Sequence, residues 1–307
     1  MFPDISGSTM QYLANLNQTQ QELNQTSAQI SSGLRVQQPS DAPGEIAEIL
    51  QIQANLGQNQ QIQSNLSDAQ TEVTGADNAL QTVISLLQQA QSLATRGADS
   101  TATASDRASI AQEVAGLQSE IIAASQTQIN GVYIFSGAQP TSPTYQADPS
   151  APEGVQQLMT PTSTRTIDDV SGTAIAVALT AQQIFDPQNT GGTPATGNTF
   201  AAINDLLTSL QNNDQAGIAN AVTELDNANS YVNQQLAFYG AVENRLTDAT
   251  TLAQKFQTQQ QSDLSNLEDT DETSAALALN QEQVQEQASL SVESNILQMK
   301  NIFYYLA

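Results

Sequence analysis

Residues 16–43 read LNQTQQELNQTSAQISSGLRVQQPSDAP. The letters LNQT occur twice, seven residues apart, and the pattern stops at Ser31-Ser32-Gly33. Tyr12, Leu16, Thr19, Leu23, Thr26 and Ile30 step by 4-3-4-3-4, the seam of a helix packed lengthwise against another helix. The flanking residues are Gln, Asn, Ser and Thr rather than paired Glu and Lys, so surface charge gives this helix little support and it needs partners. Gly33 is expected to end it, because the residue past a helix C-terminus favours a left-handed conformation that glycine takes without strain. Pro39 keeps the chain extended, and Ser40 or Asp41 is placed to cap a second helix with Pro43 in its first turn. The stretch therefore reads as a joint between two helices, built on Gly33, Arg35, Pro39, Ser40 and Asp41.

Working outward, the second helix is predicted over about residues 41–97. Its seam runs Leu66, Ala69, Val73, Ala76, Leu80, Val83, Leu87, Ala90 and Ala94, alternating steps of 3 and 4. A third helix is predicted to start at Ser105 and Asp106, with Ile110, Val114, Leu117, Ile121 and Ala124 as its seam, and to end near Asn130-Gly131. VYIF at 132–135 then reads as a short strand. From about Ala138 prolines and TGGTPATG (190–197) break up strand-like pieces such as STRTI (163–167) and TAIAVAL (173–179), the pattern of a β-rich insert. Helix returns at Thr199. After Asp214 the longest seam follows: Ile218, Ala221, Leu225, Ala228, Val232, Gln235, Tyr239, Val242, Leu246, Ala249, Ala253, Phe256, Gln260, Asp263 and Leu267. LEDTDET (267–273) interrupts it, and a last helix carries Ala288, Val292, Ile296, Met299, Phe303 and Leu306.

The layout is nearly a palindrome: an N-terminal assembly helix (1–40), a first rod half (41–137), the insert (138–198), a second rod half (199–269) and a C-terminal assembly helix (270–307). The expected fold is mainly α, an elongated antiparallel coiled-coil rod of long helices. Its terminal helices would pair, and a small β-rich insert domain would sit at the far end. The apolar seams of both termini, Tyr12, Leu16, Leu23, Ile30, Val292, Ile296, Met299, Phe303 and Leu306, are the candidate assembly interface. Chain ends are normally polar and frayed, and residues 290–307 instead carry apolar side chains on several faces. An internal coiled coil within one monomer is the plainer reading of the same seams.

Composition excludes much else. The 307 residues carry 31 acids and 7 bases, a formal charge of −24. The bases Arg35, Arg96, Arg107, Arg165, Arg245, Lys255 and Lys300 are scattered, which disfavours nucleic acid and anionic membranes as partners. There is no cysteine and no histidine, which removes thiol nucleophiles, disulfides, the commonest general base and the commonest metal ligands. MFPDISGSTM has neither a basic start nor an apolar core, so no cleaved secretory signal is expected. No apolar run approaches the roughly 18 residues of a membrane span, so membrane insertion is not expected.

Glu268, Asp269, Asp271 and Glu272 form an acidic cluster that reads first as a helix N-terminus, where acids complement the dipole, and only second as a metal site. Asp168-Asp169 is the insert's closest acid pair, and adjacency on a strand turns the two to opposite faces. The Asn-x-Thr triplets at Asn17 and Asn24 lie inside the first seam and read as composition. No catalytic residue, metal or cofactor is predicted.

QISSGLRVQQPSDAPGEIAEIL (29–50) resembles the N-terminal signature of the flagellin superfamily, where a helix ends in Ser-[Ser/Thr]-Gly-[Leu/Lys]-Arg before a restart. The likeness continues through residues 79–101, 106–121 and 130–137, and resumes at AFYGAVENRLTDA (237–249) and residues 264–285. Within the superfamily, QQPSDAPGE and NGVYIFSGAQPTSPTY are similar to the hook–filament junction branch, as is the aromatic ending NIFYYLA. SSGLRV is closer to flagellin proper, and the trailing Ala307 is unusual for the junction branch. The resemblance implies a non-enzymatic part of the bacterial flagellum, secreted by flagellar type III export without a cleaved signal. It implies as partners copies of the same chain, a neighbouring hook-associated protein, flagellin or the filament cap, and an export chaperone at the C-terminus. The alternatives are a flagellin that forms the whole filament, a cytosolic coiled-coil scaffold, and a carboxylate hydrolase housed in the insert.

Overall fold

The computed structural model describes residues 5–137, 141–160 and 163–305. The helices are α1 (Ile5–Ser32), α2 (Ile46–Ala98), α3 (Ala104–Ser125), α4 (Ala181–Phe185), α5 (Thr199–Gln211), α6 (Gln215–Glu268) and α7 (Glu272–Tyr305). Among the described residues, six short strands lie between α3 and α4: β1 (Gln128–Ile129), β2 (Val132–Tyr133), β3 (Tyr145–Ala147), β4 (Val155–Gln157), β5 (Thr166–Asp168) and β6 (Ala174–Ala176). The mainly helical architecture with a small β insert is as the sequence predicts. The chain divides into two compact units, one spanning Asn59–Phe256 and the other formed by the residues up to Gln58 with those from Gln257 onward. Both α2 and α6 supply residues to each.

The unit of residues 59–256 holds a large continuous core. Every seam residue predicted on α2 from Leu66 to Ala94 is buried, and on α6 Ile218, Ala221, Leu225, Ala228, Val232 and Leu246 are fully so. On α3 Ile110, Val114 and Ile121 are buried too. Asn59 is the polar exception among these rows. It is 4% exposed and donates through Nδ2 to the carbonyl of Ala253 (2.9 Å), a buried polar contact between α2 and α6 within this unit.

The strands form three separate antiparallel pairs, β1–β2, β3–β4 and β5–β6. The first closes on Asn130 and Gly131, whose φ of 52° and 79° are the two positive values a tight hairpin turn requires. α3 therefore stops at Ser125, earlier than predicted, because Asn130-Gly131 turns a hairpin rather than ending a helix. VYIF is strand only at Val132 and Tyr133. Its Ile134 and Phe135 are buried, and Phe135 meets Phe185 edge-on at 5.5 Å and Tyr239 at 6.5 Å. Tyr145 and Phe200 lie 4.9 Å apart, so the insert is tied to the helices by aromatic packing rather than by a continuous sheet. α3 is capped by Thr103 with Asp106 as reciprocal partner, so the helix starts at Ala104 rather than at Ser105.

The other unit has a small core of Val36, Ala42, Ile49, Leu56 and Leu264, with Ile52 and Leu267 against it. α1 and α7 run antiparallel: Tyr12 Oη donates to the Ser289 carbonyl, and Thr26 Oγ1 donates to Glu282 Oε1 at 3.0 Å. The pairing of the terminal helices predicted from sequence is present.

Three details correct the sequence reading. Ser40 and Asp41 do not cap α2, which starts at Ile46; Asp41 Oδ2 instead accepts from the backbone N–H groups of Gln37 and Gln38, closing the loop before it. Phe256 leaves the seam of α6 and is 45% exposed. The least exposed row passes buried Ala249, Ala253 and Leu264 with part-buried Gln257, Gln260 and Leu267, and the successive steps of 4 at 249–253–257 insert a stutter. Asp263 is displaced from that row by Leu264 for the same reason.

Candidate assembly surface

The first joint begins where the backbone of Gly33 turns left-handed, φ 74°, and its N–H bonds to the Gln29 carbonyl (2.8 Å), the single bond of a left-handed C-cap. Past this point the chain does not run free. Arg35 N–H donates to the Glu268 carbonyl (2.6 Å), Thr270 N–H donates to the Gly33 carbonyl (2.9 Å), and Leu34 bridges Asp269. The first residues of the joint between α1 and α2, Gly33 to Val36, are hydrogen-bonded to the joint between α6 and α7. The Arg35 side chain closes the arrangement, donating through Nη2 to the Leu267 carbonyl (2.6 Å) and to Glu45 Oε2 (2.5 Å). Both members of the Arg35–Glu45 pair are about two-fifths exposed, so its stabilisation is small and its use is alignment. Gln53 Nε2 adds a bond to Glu268 Oε1 at 2.8 Å.

Asp271 starts α7 as its cap, accepting from the N–H groups of Thr273 and Ser274 and from Ser274 Oγ. Those bonds favour the ionised carboxylate and hold its pKa below the usual range, the Ser274 hydroxyl contributing most. The acidic run is thus half of a double joint: Glu268 and Asp269 give backbone partners to the first joint, and Asp271 caps the next helix. Sequence reading placed the cap and missed the pairing of the two joints, because backbone bonding between segments about 235 residues apart leaves no trace in side-chain pattern.

The four seam residues of α1 assigned to the assembly interface, Tyr12, Leu16, Leu23 and Ile30, are all part-buried while their neighbours Asn15, Asn17, Asn24 and Gln25 are exposed. They sit on the side of α1 that meets α7. On α7 the row toward α1 is the buried Ala275 with the part-buried Leu279, Glu282, Glu286 and Ser289, while the seam residues Ala288 and Val292 lie on another face. Leu277, Val284, Ala288 and Val292 are exposed, Val284 by 65% and Val292 by 49%. At 100° per residue they fall within an arc of about 80°, centred roughly 140° from the row that meets α1. α7 therefore spends a mostly polar row on its partner and leaves an apolar row uncovered. Met10 and Leu13 on α1 are likewise exposed. Ile296, Met299 and Phe303 belong to α7; Leu306 lies outside the described residues.

No cluster of three or more Asp or Glu able to hold a metal occurs among the described residues, and no described helix is long and apolar enough to cross a membrane. Asp169 of the insert is a turn residue, its Oδ1 accepting from Ser171 and Thr173.

Two family models match, the bacterial flagellin N-terminal helical region over residues 6–140 and the bacterial flagellin C-terminal helical region over residues 222–306. The chain belongs to the flagellin superfamily. Among curated members of that superfamily, the Escherichia coli flagellar hook-associated protein 3 is 24% identical over 281 residues, covering 89% of this chain and 83% of that one. A Salmonella choleraesuis flagellin is 30% identical over 196 residues, 60% of this chain but 39% of its own. Among solved superfamily structures, a Vibrio parahaemolyticus chain assigned as a flagellar hook-associated protein shares the fold with a TM-score of 0.65 at 20% identity, over 75% of this chain and all of that one. Hook-associated protein 3 of Legionella pneumophila does so with a TM-score of 0.62 at 12% identity, over 71% of this chain and 98% of its own.

Proposed function

We propose that this chain is a structural subunit of the bacterial flagellum, forming the junction zone between hook and filament and needed for filament assembly. One observation carries the reading: likeness to a flagellar hook-associated protein 3 extends over most of both chains, whereas the flagellin likeness covers well under half of the flagellin. The uncovered apolar row of α7 supports assembly, since burying Leu277, Val284 and Val292 against neighbours would add cohesion at about 25 cal/mol per Å². Tyr12, Leu16, Leu23 and Ile30 would then hold α1 on α7, while Val292, with Ile296, Met299, Phe303 and Leu306, would meet adjacent copies of the chain. Its other neighbours would be a second hook-associated protein on one side and flagellin or the filament cap on the other. Export would run through the flagellar type III channel, with a chaperone holding the apolar C-terminus. No reaction is assigned to it.

Immunogold labelling of isolated flagella tests this. Gold confined to a narrow band where hook meets filament is the expected result. Gold along the filament would make the chain a flagellin, and gold only inside the cell would leave the scaffold reading.

A further inference from the structure

α1 and α7 meet through mismatched faces. The side of α1 toward α7 carries Leu16, Leu23 and Ile30, and the side of α7 toward α1 carries Glu282, Glu286 and Ser289. Leu277, Val284 and Val292 of α7 are turned out. Burial of apolar area favours the opposite choice. A turn of α7 by roughly 140° about its own axis would bring its apolar row under the α1 seam. Specific contacts must therefore hold the polar face in place.

One contact stands out. Among the residues of α1 whose burial is described, Thr26 is the one buried side chain, 8% exposed in a seam that also holds leucines. It closes the second LNQT of the sequence, and the two copies use their threonines differently. Thr19 Oγ1 donates back to the Asn15 carbonyl of its own helix at 3.1 Å, as Thr71, Thr82, Thr95, Thr247 and Thr251 do on theirs. Thr26 Oγ1 instead crosses to Glu282 Oε1 at 3.0 Å. Glu282 Oε2 is buried and has no hydrogen-bond partner among the described residues. A buried carboxylate oxygen without a donor is costly, so the pair is a poor way to gain stability. What such a contact can supply between helices is a choice of alignment, since other rotations turn the carboxylate away from Thr26 and forfeit a bond strengthened by its charge. Gln20 Nε2 with Glu286 Oε1 at 3.4 Å and Tyr12 Oη with the Ser289 carbonyl continue along the same row.

We propose that Thr26 is a positioning residue that sets the rotation of α7. By holding Glu282 it keeps the polar row of α7 on α1 and the row of Leu277, Val284 and Val292 outward. The choice of face is a property of the single chain; that the outward row is kept for neighbouring copies rests on the function proposed above.

Cross-linking in the full, unassembled chain tests this. The sequence has no cysteine, so introduced pairs can be joined by a short bismaleimide without background. Gln20→Cys with Glu286→Cys reports the present face, where those side chains touch. Gln20→Cys with Ala288→Cys reports a turned helix, because position 288 lies about 200° around α7 from 286. The first pair should join several-fold faster than the second. Thr26→Val keeps the shape and removes the donor; it should slow the first pair, speed the second and shift their ratio about tenfold, the worth of a hydrogen bond to a charged group. Thr26→Ser restores the hydroxyl and should keep the ratio near that of the parent chain. Similar rates for both pairs with Thr26 in place overturn the proposal, as does a ratio that Thr26→Val leaves unchanged or that Thr26→Ser shifts equally. Slowing of both pairs in Thr26→Val, with no gain in the second, would show a contact that holds the helices together without choosing a face, and would also overturn it. Each result stands whether or not the chain is found at the hook–filament junction, so failure here and failure of the proposed function are told apart.

Discussion

The two units use the same helices differently. In residues 59–256, α2 and α6 present long rows, mostly of Leu, Ile, Val and Ala, to one continuous core that α3, α5 and the insert share. In the other unit the same two helices contribute only Ile49, Ile52, Leu56, Leu264 and Leu267 to a core. The partners added there, α1 and α7, meet through Tyr12, Thr26, Glu282, Glu286 and Ser289, and leave apolar side chains outside. Helical length is no measure of stability: isolated helices gain little in water, and packing of an apolar face does most of the work. The first unit holds most of the buried apolar side chains. The second is specified chiefly by backbone bonds at a double joint, which align segments without burying much area. An assembling protein gains from that division, since a surface reserved for neighbours cannot also be spent inside the monomer.

The largest effect should come from the filled core. Leu225 is fully buried on α6, and Leu225→Ala should cost about 3 kcal/mol from lost transfer energy and the cavity left behind. Leu23→Ala on α1, a part-buried position, should cost about 1 kcal/mol or less. Denaturant unfolding of both variants measures this, and limited proteolysis extends it. A fragment close to residues 59–256 should survive after α1 and α7 have been cut. Equal costs, or cleavage that starts in the core, would break the contrast between the units.

Much of the core was legible in the sequence, for a physical reason. A row such as Leu80, Val83, Leu87, Ala90 and Ala94 is buried because its period matches the helix, and the period is written in the residues themselves. The same holds for Gly33, which only a left-handed turn explains, and for Asp271 at a helix start. The face that α7 turns to α1 was not legible. Periodicity points to the most apolar row, yet the row in contact holds Glu282, Glu286 and Ser289 because the apolar one is turned outward. The hydrogen bonds that gather Tyr145, Gln188 and Asn198 onto buried Asp186 were also hidden, since these residues stand on segments that only the fold brings together.

A middle-sized effect isolates the joint. A Cβ added at Gly33 would meet nothing within 4 Å, so substitution there carries no steric clash and only the cost of a left-handed backbone. Gly33→Ala should therefore cost about 1 kcal/mol. Gly33→Val should cost more, because a branched side chain resists that conformation further. The loss belongs to the thin unit alone: protease cleavage in α1 should rise about fivefold, the factor that 1 kcal/mol represents, while unfolding of residues 59–256 stays unchanged. Loss of stability in both units would mean that the joint supports the core as well.

The smallest effect decides where the periodicity of α6 changes. If steps of 3 and 4 continued without interruption, Phe256 would lie in the row between Ala253 and Gln260, and replacing a buried phenylalanine with a small residue costs about 3–5 kcal/mol. The stutter at Ala249, Ala253 and Gln257 instead carries Phe256 out to 45% exposure and brings Leu264 to 9%. Local unwinding toward eleven residues in three turns is what two successive steps of 4 require. Phe256→Gln should consequently change the unfolding free energy by less than about 0.5 kcal/mol, as for a surface site. A cost several times larger would place the ring inside and remove the stutter. A near-zero cost would leave a large aromatic on the surface that contributes nothing to folding, as expected of a helix whose exposed apolar residues are held for other chains.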